Sequence, residues 1–326
     1  MNYSVTIESL DWLSKYWLEH RDELDWEPIF VLPPWLKVWR KHFAPTAEIA
    51  ILVTKQSGKI LGVAPLLLND GKASIIGSPN VCDYEDFIIK RGEENSFSHA
   101  LLDFLKQKHI RILEPGVVRP DSKAMSYLLP IARQSGADIV CEPDEVSLEK
   151  ELPSSWEAYL QTLDTKQRHE VRRKLRRLEE EGKITYRFVT DTTTVPEFLD
   201  IFLKMFVESR EDKAHFLTPQ AEGFFRDLTV TMAESGLLRG GILELDRKPV
   251  ATVFAFDYED TVYLYNSGFD PNASQLSVGI LSKALLIKDT IERGKKKFDF
   301  LKGAERYKYH LGGKEIQLQK CRIVLQ

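Results

Sequence analysis

The chain has 326 residues, 43% hydrophobic and 29% charged, with a net charge of -4. That length exceeds one ordinary domain and fits two of roughly 150 residues each. The balance of charge excludes a general attraction to nucleic acid or anionic membrane, so any such contact must come from a local patch.

No apolar run approaches the ~18 residues of a membrane span. The N-terminus, MNYSVTIESLDWLSKYW, has neither a basic leader nor an apolar core of the kind a signal peptide needs. The expected location is therefore cytoplasmic. Cys82, Cys141 and Cys321 lie far apart with no metal or disulfide spacing, which reads as free thiols in a reducing compartment.

An aromatic helical segment around Trp12, Tyr16 and Trp17 comes first. A second helix opens on Pro33-Pro34 and carries Trp35, Val38 and Trp39 at helical spacing. Residues 48–54 and 60–68 read as a β-hairpin across Gln56-Ser57-Gly58. Strands at 72–77 and 86–89 follow, then a helix at 94–108 with Phe97, Leu101, Leu102 and Leu105 on one face. A strand at 110–113, a helix at 122–134 and a strand at 138–148 complete this half.

The second half opens with helices at 155–163 and 165–181, then a strand at 184–190 and helices at 195–210 and 218–235. Thr218-Pro219 supplies an N-cap and a first-turn proline. Residues 237–245 and 249–258 form another hairpin, followed by a strand at 263–268, a helix at 277–293 and a strand at 297–301. Hairpin, strand, helix, strand thus occurs twice, as a repeat of pattern with little side-chain identity. The pattern predicts an α/β chain of the α+β type: two tandem domains, 1–150 and 151–326, each a mixed, mostly antiparallel sheet flanked by helices.

Three regions carry candidate chemistry. The helix at 165–181, TKQRHEVRRKLRRLEEE, leads with base and trails with acid, against the macrodipole. Arg168 and Arg172, four apart, are placed to act together on a phosphate, with tRNA as one partner such a helix could take. Asp83, Tyr84, Glu85 and Asp86, after a turn at 78–80, could bind a substrate amine, although an acidic surface loop is the ordinary reading. The histidines show no ligand spacing, so no metal is expected.

The third region is 263–308. The open start of its helix, with Gln275, Ser277, Val278 and Gly279, offers N–H groups to a phosphate or an oxyanion. Asp299, Glu305 and Tyr307 are proton handlers, and Lys302 and Lys308 are anion contacts. The ordinary reading of Glu305 and Lys308 is a surface ion pair. Gly312-Gly313-Lys314 lacks the spacing of a phosphate loop.

The ordered series PWLKVWRKHF, GKILGVAPLLL, DYEDFII, the Arg-rich helix, YLYNSGFD, QLSVGILSKALL and FDFLKGAERYK resembles the GNAT acyltransferases of the CelD-like branch. That branch is linked to polysaccharide synthesis and related to the FemAB peptidyltransferases. The resemblance covers nearly the whole chain and implies tandem GNAT-like domains, with the chemistry in the second and the acceptor side in the first. Gly268, Gly279, Asp299, Gly303, Glu305, Lys308, Arg168 and Arg172 fall at the family's recurrent positions. The pyrophosphate loop Q/R-x-x-G-x-G/A departs here, with Val278 and Ile280 at its small positions.

The resemblance implies direct transfer from acetyl-CoA or another acyl-CoA to an amine, such as an amino sugar or a cell-envelope polysaccharide precursor. Glu305 or Asp299 would take the proton, and Tyr307 or Tyr265 would protonate the leaving group. Asp83, Tyr84, Arg168, Arg172 and Tyr265 would contact the acceptor, in a cleft between the domains. FemAB-like aminoacyl transfer from tRNA to a cell-wall precursor is the alternative. A non-catalytic binding protein that kept the fold is the third reading.

Overall fold

The computed structural model describes residues 3–77 and 81–325; the turn expected at 78–80 lies outside them. The chain divides into two compact units, residues 1–146 with 316–326, and residues 147–315.

Unit 1 holds β1 (Tyr3–Glu8), α1 (Leu10–Glu19), α2 (Pro33–Phe43), β2 (Glu48–Gln56), β3 (Lys59–Asn69), β4 (Lys72–Ile75), β5 (Ile88–Ile89), α3 (Glu94–Gln107), β6 (Ile112–Val118) and α4 (Leu129–Gln134). It also holds most of β7 (Asp138–Glu151) and of the last strand, β13 (Lys314–Val324). Sheet order here is β1-β2-β3-β4-β6-β13, antiparallel except for the parallel pair β4–β6. The hairpin turn at Ser57-Gly58 has both φ angles positive, the primed geometry that matches strand twist. One sheet face (Ala50, Leu52, Ala64, Leu66) packs against Phe97, Leu101 and Leu105 of α3 and Ile131 of α4.

Two expectations change here. The 83–86 segment is not an acidic surface loop: Glu85 is 4% and Asp86 5% exposed. Asp86 accepts the N–H groups of Lys123 (2.8 Å) and Ala124 (3.0 Å), anchoring the helical turn that begins there. Burial keeps its carboxyl above the ordinary range despite the nearby Lys123 charge. The strand expected at 86–89 accordingly narrows to Ile88–Ile89.

The cysteines also differ from expectation. Cys141 on β7 and Cys321 on β13 are joined in a disulfide across 180 residues of sequence. Spacing could not show this, because the fold, and not the separation, brings the two strands of one unit together. Cys82 is the free cysteine, buried, and its sulfur accepts the Trp35 indole N–H at 3.1 Å.

Unit 2 contains the end of β7, α5 (Trp156–Thr162), α6 (Thr165–Glu181), β8 (Ile184–Val189), α7 (Val195–Ser209), α8 (Glu211–Phe216), α9 (Pro219–Glu234), β9 (Gly240–Leu245), β10 (Lys248–Tyr258), β11 (Thr261–Phe269), α10 (Val278–Glu292), β12 (Lys297–Lys302) and α11 (Arg306–His310). Sheet order is β7-β12-β11-β10-β9-β8, antiparallel except for β11–β12. Helices cover both faces. Phe198 and Phe202 of α7 and Phe225 of α9 pack edge-to-face with Phe254 or Tyr265 of the sheet, and Phe206 of α7 packs edge-to-face on Phe225. On the other face Leu243 and Ala251 join Val278 and Leu281 of α10 and Leu178 of α6. Gly268 allows α7 to approach β11: a Cβ there would stand 2.6 Å from the Met205 and Phe206 backbone.

Candidate active site

Strands β11 and β12 pair in parallel for three residues, Thr261–Tyr263 with Lys297–Asp299, and then part. Two devices open them. On β11, Phe254 of the neighbouring strand faces Asn266 while Ala255 faces Leu264, so Tyr265 is an extra, bulged residue. On β12, the register slips between Asp299 and Leu301, and Leu301 takes a left-handed conformation (φ 61°). Such a conformation costs a non-glycine residue energy and persists only where the surroundings hold it. Here Asp299 Oδ1 accepts the Leu301 N–H at 2.7 Å, and Lys308 Nζ bonds Leu301 O at 3.0 Å and Lys302 O at 2.5 Å.

Parting leaves strand carbonyls without ladder partners, and lysines take that role. Lys308, only 2% exposed, does so on β12. On β11, Lys213 of α8 donates to Ser267 O at 2.5 Å, with its ammonium 4.9 Å from the Phe206 ring. A third lysine, Lys283 of α10, is 5% exposed. It donates to Gly279 O at 2.7 Å and lies 4.7 Å from the Tyr307 ring centre.

Glu305 stands in front of α11, its Oε2 3.0 Å from Lys308 Nζ, outside hydrogen-bonding angles because the ammonium is aimed at the two carbonyls. Burial pushes this carboxyl up, but the Lys308 charge, helped by Arg210, more than offsets that and keeps it below the usual range. Burial, and then the Glu305 charge, raises the Tyr307 phenol well above an ordinary tyrosine. Burial pushes Lys283 down to about 7, with Lys213 and Lys308 adding to it against the pull of Glu305. Lys213 falls to about 8, again through burial first and then Arg210. The opening thus holds an ionised carboxylate, a protonated phenol and two amines poised near neutrality, a set able to accept and return protons.

Glu305, Tyr307 and Lys308 therefore come together, with Tyr265 and Lys302 on the two strands that part. Asp299 sits at the root, 2% exposed and bonded to the backbone, where it shapes the bulge. The ion pair expected between Glu305 and Lys308 exists, but its lysine is buried. Asp83 and Tyr84 belong to unit 1, and the Tyr84 ring is packed edge-on against Phe30 with Arg119 over it. Arg168 bonds Gln161 at 2.9 Å and Arg172 pairs with Glu157 of α5, so neither points inward. Sequence reasoning misses Lys213 and Lys283. The signal for Lys283 is a lone lysine inside the apolar run 278–287; for Lys213 there is none, because nothing in the pattern marks α8 as a separate helix.

The start of α10 decides whether a CoA pyrophosphate fits. Ser277 takes the left-handed conformation (φ 59°), and the first intrahelical bonds run from Ile280 and Leu281 to Ser277 O, ahead of which lie the N–H groups of Val278 and Gly279. Gln275 is exposed on the turn before it. Val278 is fully buried and Ile280 partly so, in one apolar cluster with Leu175 and Leu178 of α6. Branched side chains therefore occupy two positions where the pyrophosphate loop calls for small ones, and the residues present do not fit that pattern. Among the described residues no group of three or more His, Cys, Asp or Glu is arranged to hold a metal. No helix among them is long and apolar enough to cross a membrane.

Residues 165–309 match the acetyltransferase (GNAT) domain family. No curated protein matches this sequence. Among solved structures, FemX is similar over 99% of this chain and 97% of its own, with a TM-score of 0.68 and 11% identity. A conserved protein of unknown function from Bacteroides thetaiotaomicron reaches 0.61 at 12% identity, over 98% of this chain and 100% of its own. The C-terminal domain of a putative lysylphosphatidylglycerol synthetase from Agrobacterium fabrum reaches 0.54 at 11% identity, over 89% and 91%. At such identities the likeness is one of fold. Residues 165–309, within unit 2, are thus similar to the acetyltransferase (GNAT) domain family, and the whole chain is similar in fold to FemX.

Proposed function

We propose that the chain is an acyltransferase that passes an acyl group from an activated donor directly to an amine in the β11/β12 opening. The observation that carries this reading is the parting of the two strands beside Glu305, within the segment that matches the GNAT domain family. The acceptor nitrogen attacks the acyl carbonyl carbon, and the bond from that carbon to the donor sulfur or oxygen breaks. Glu305, held ionised by Lys308, takes the proton the nitrogen loses. Tyr307, held protonated, gives one to the departing atom, so the net change is one proton moved from amine to leaving group. No serine or cysteine is needed as a covalent carrier. The Asp299 carboxylate holds the Leu301 turn that presents this loop.

The acceptor side we assign to an amino sugar or another amine of a cell-envelope precursor, following the CelD-like sequence series, with cytoplasmic action. For the donor two readings stand. A thioester such as acyl-CoA is the ordinary donor of a GNAT domain. Aminoacyl transfer from tRNA is favoured by one observation, the branched residues at 278 and 280. The basic helix α6 adds support, and the fold likeness to FemX and to the putative lysylphosphatidylglycerol synthetase is compatible with it. The test is mass-detected transfer to amino-sugar acceptors from a panel of acyl-CoAs and aminoacyl-tRNAs. One donor class should give product, and Glu305→Gln should lower its rate by ~10²–10⁴-fold. Full turnover by that variant would exclude Glu305 as the base.

A further inference from the structure

Three helices bring lysines to the rim of the β11/β12 opening, and the three are not in the same state. Lys308 is satisfied by two carbonyls and Glu305. Lys213 and Lys283 each make a single hydrogen bond among the described residues, to Ser267 O and Gly279 O, with an aromatic face beside them. An ammonium has three donors, so both have donors to spare.

The charge is unbalanced too. Glu305 is the carboxylate whose charge reaches both lysines, and it is already paired with Lys308. The neighbouring Arg210 is matched by Asp212. Burying positive charge without a counter-charge is costly, and a fold tolerates it where a ligand supplies the missing one.

We propose that Lys213 and Lys283 form a binding site for a phosphate-class oxyanion, held by their spare N–H groups beside Glu305 and Tyr307. Which substrate of the transfer brings the phosphate rests on the reading of the opening as the reaction site; the binding itself does not. The site is made of side chains from α8 and α10 and does not use the N–H groups at the start of α10.

Burial first, then the charges of Lys213 and Lys308, leaves Lys283 near 7, and burial with Arg210 leaves Lys213 near 8. The charged groups facing Lys283 are Lys213, Glu305 and Lys308; those facing Lys213 are Arg210, Asp212 and Glu305. An arriving dianion favours the charged amines, so binding should draw protons from solution. Affinity for a phosphate monoester should rise as pH falls through 8 toward 7, a window in which such an ester, with a second pKa of about 6, stays largely dianionic.

The experiment is calorimetric titration of the whole chain at pH 8 with methyl phosphate, a phosphate monoester, and with pyrophosphate, in two buffers of different ionisation enthalpy, with acetate as the carboxylate arm. Saturable phosphate binding with net proton uptake is expected, weakened by about tenfold or more in Lys283→Met and Lys213→Met, in line with loss of a charge-assisted bond. Lys283→Arg, which keeps the charge, should retain part of it, and thermal melts of each variant report that it is folded. No saturable binding, binding untouched by either Met variant, or acetate binding as tightly as phosphate would overturn the proposal. Intact phosphate binding in a protein that transfers no acyl group supports this site and counts against the reaction; transfer without phosphate binding overturns this site alone.

Discussion

The two units build the same opening and fill it in opposite ways. Each sets a helix between two strands that pair in parallel for three residues: β4 with β6 in unit 1, β11 with β12 in unit 2. In unit 1 a side chain of the chain itself fills the gap. Glu85 lies so close to Gly77 and Gly116, which follow the paired residues, that a Cβ on either would run into its carboxylate. That carboxylate accepts the Val117 N–H at 2.9 Å, and the Glu85 N–H donates to Val117 O. In unit 2 the corresponding space is lined by three lysines with one carboxylate among them. A closed copy needs no ligand, whereas the open copy has donors and charge left over. Topology alone therefore does not locate a site; what fills the gap between the parting strands does.

Several substitutions would break or sharpen that contrast. The largest stability effect is expected from Lys308→Met, which strips two carbonyls and Glu305 of their partner. It should cost roughly 1–3 kcal/mol in denaturant unfolding and take turnover down with it. Glu85→Ala should cost a similar roughly 1–3 kcal/mol by leaving the buried Val117 N–H unpaired, yet leave turnover of the folded protein unchanged. If Glu85→Ala instead abolished transfer while the protein stayed folded, unit 1 would hold part of the chemistry.

Asp299→Ala should cost on the order of 1 kcal/mol, whereas Asp299→Asn, which keeps the oxygen that accepts the Leu301 N–H, should fall within about 0.5 kcal/mol and retain activity. A large activity loss in the Asn variant would return Asp299 to the role of base. The lysines make a pH prediction whose sign is fixed. Their folded pKa values, about 7 and about 8, lie below the 10.5 of an ordinary lysine, so the unfolded chain binds more protons between those limits. Stability should therefore rise as pH climbs from 7 toward 10, with the full penalty present below 7. Lys283→Met should flatten this rise in thermal melts, and added phosphate should flatten it too. The smallest effect belongs to Arg172→Glu, an exposed pair with Glu157, which should shift stability by less than about 1 kcal/mol. If it selectively lowers transfer from aminoacyl-tRNA, α6 is the tRNA surface.

Much of this architecture was legible in the sequence, because hairpins and amphipathic helices write their period into the chain. The order strand, helix, strand in each half was legible, and the parallel pairs β4–β6 and β11–β12 came from the fold. The site was legible only in part. Glu305, Tyr307 and Lys308 stood out as polar residues after a strand, in a segment with no apolar period to explain them. Lys283 was hidden inside an apolar helix, where a charge looks like noise until its neighbours are known. Asp83 to Asp86 misled for the converse reason: four polar residues in a row look exposed, and only the fold shows Glu85 and Asp86 turned inward to bind backbone N–H groups. The Cys141–Cys321 bond was invisible because it depends on strand order across 180 residues.

The central claim is that the open copy reacts and the closed copy only supports the fold. It is tested most directly by measuring acyl transfer side by side in the native chain, Glu305→Gln and Glu85→Gln, with the donor class the native chain uses. The expected result is turnover near native in Glu85→Gln and a ~10²–10⁴-fold loss in Glu305→Gln at an unchanged melting temperature. Equal turnover in all three proteins, or a loss confined to Glu85→Gln, would contradict it.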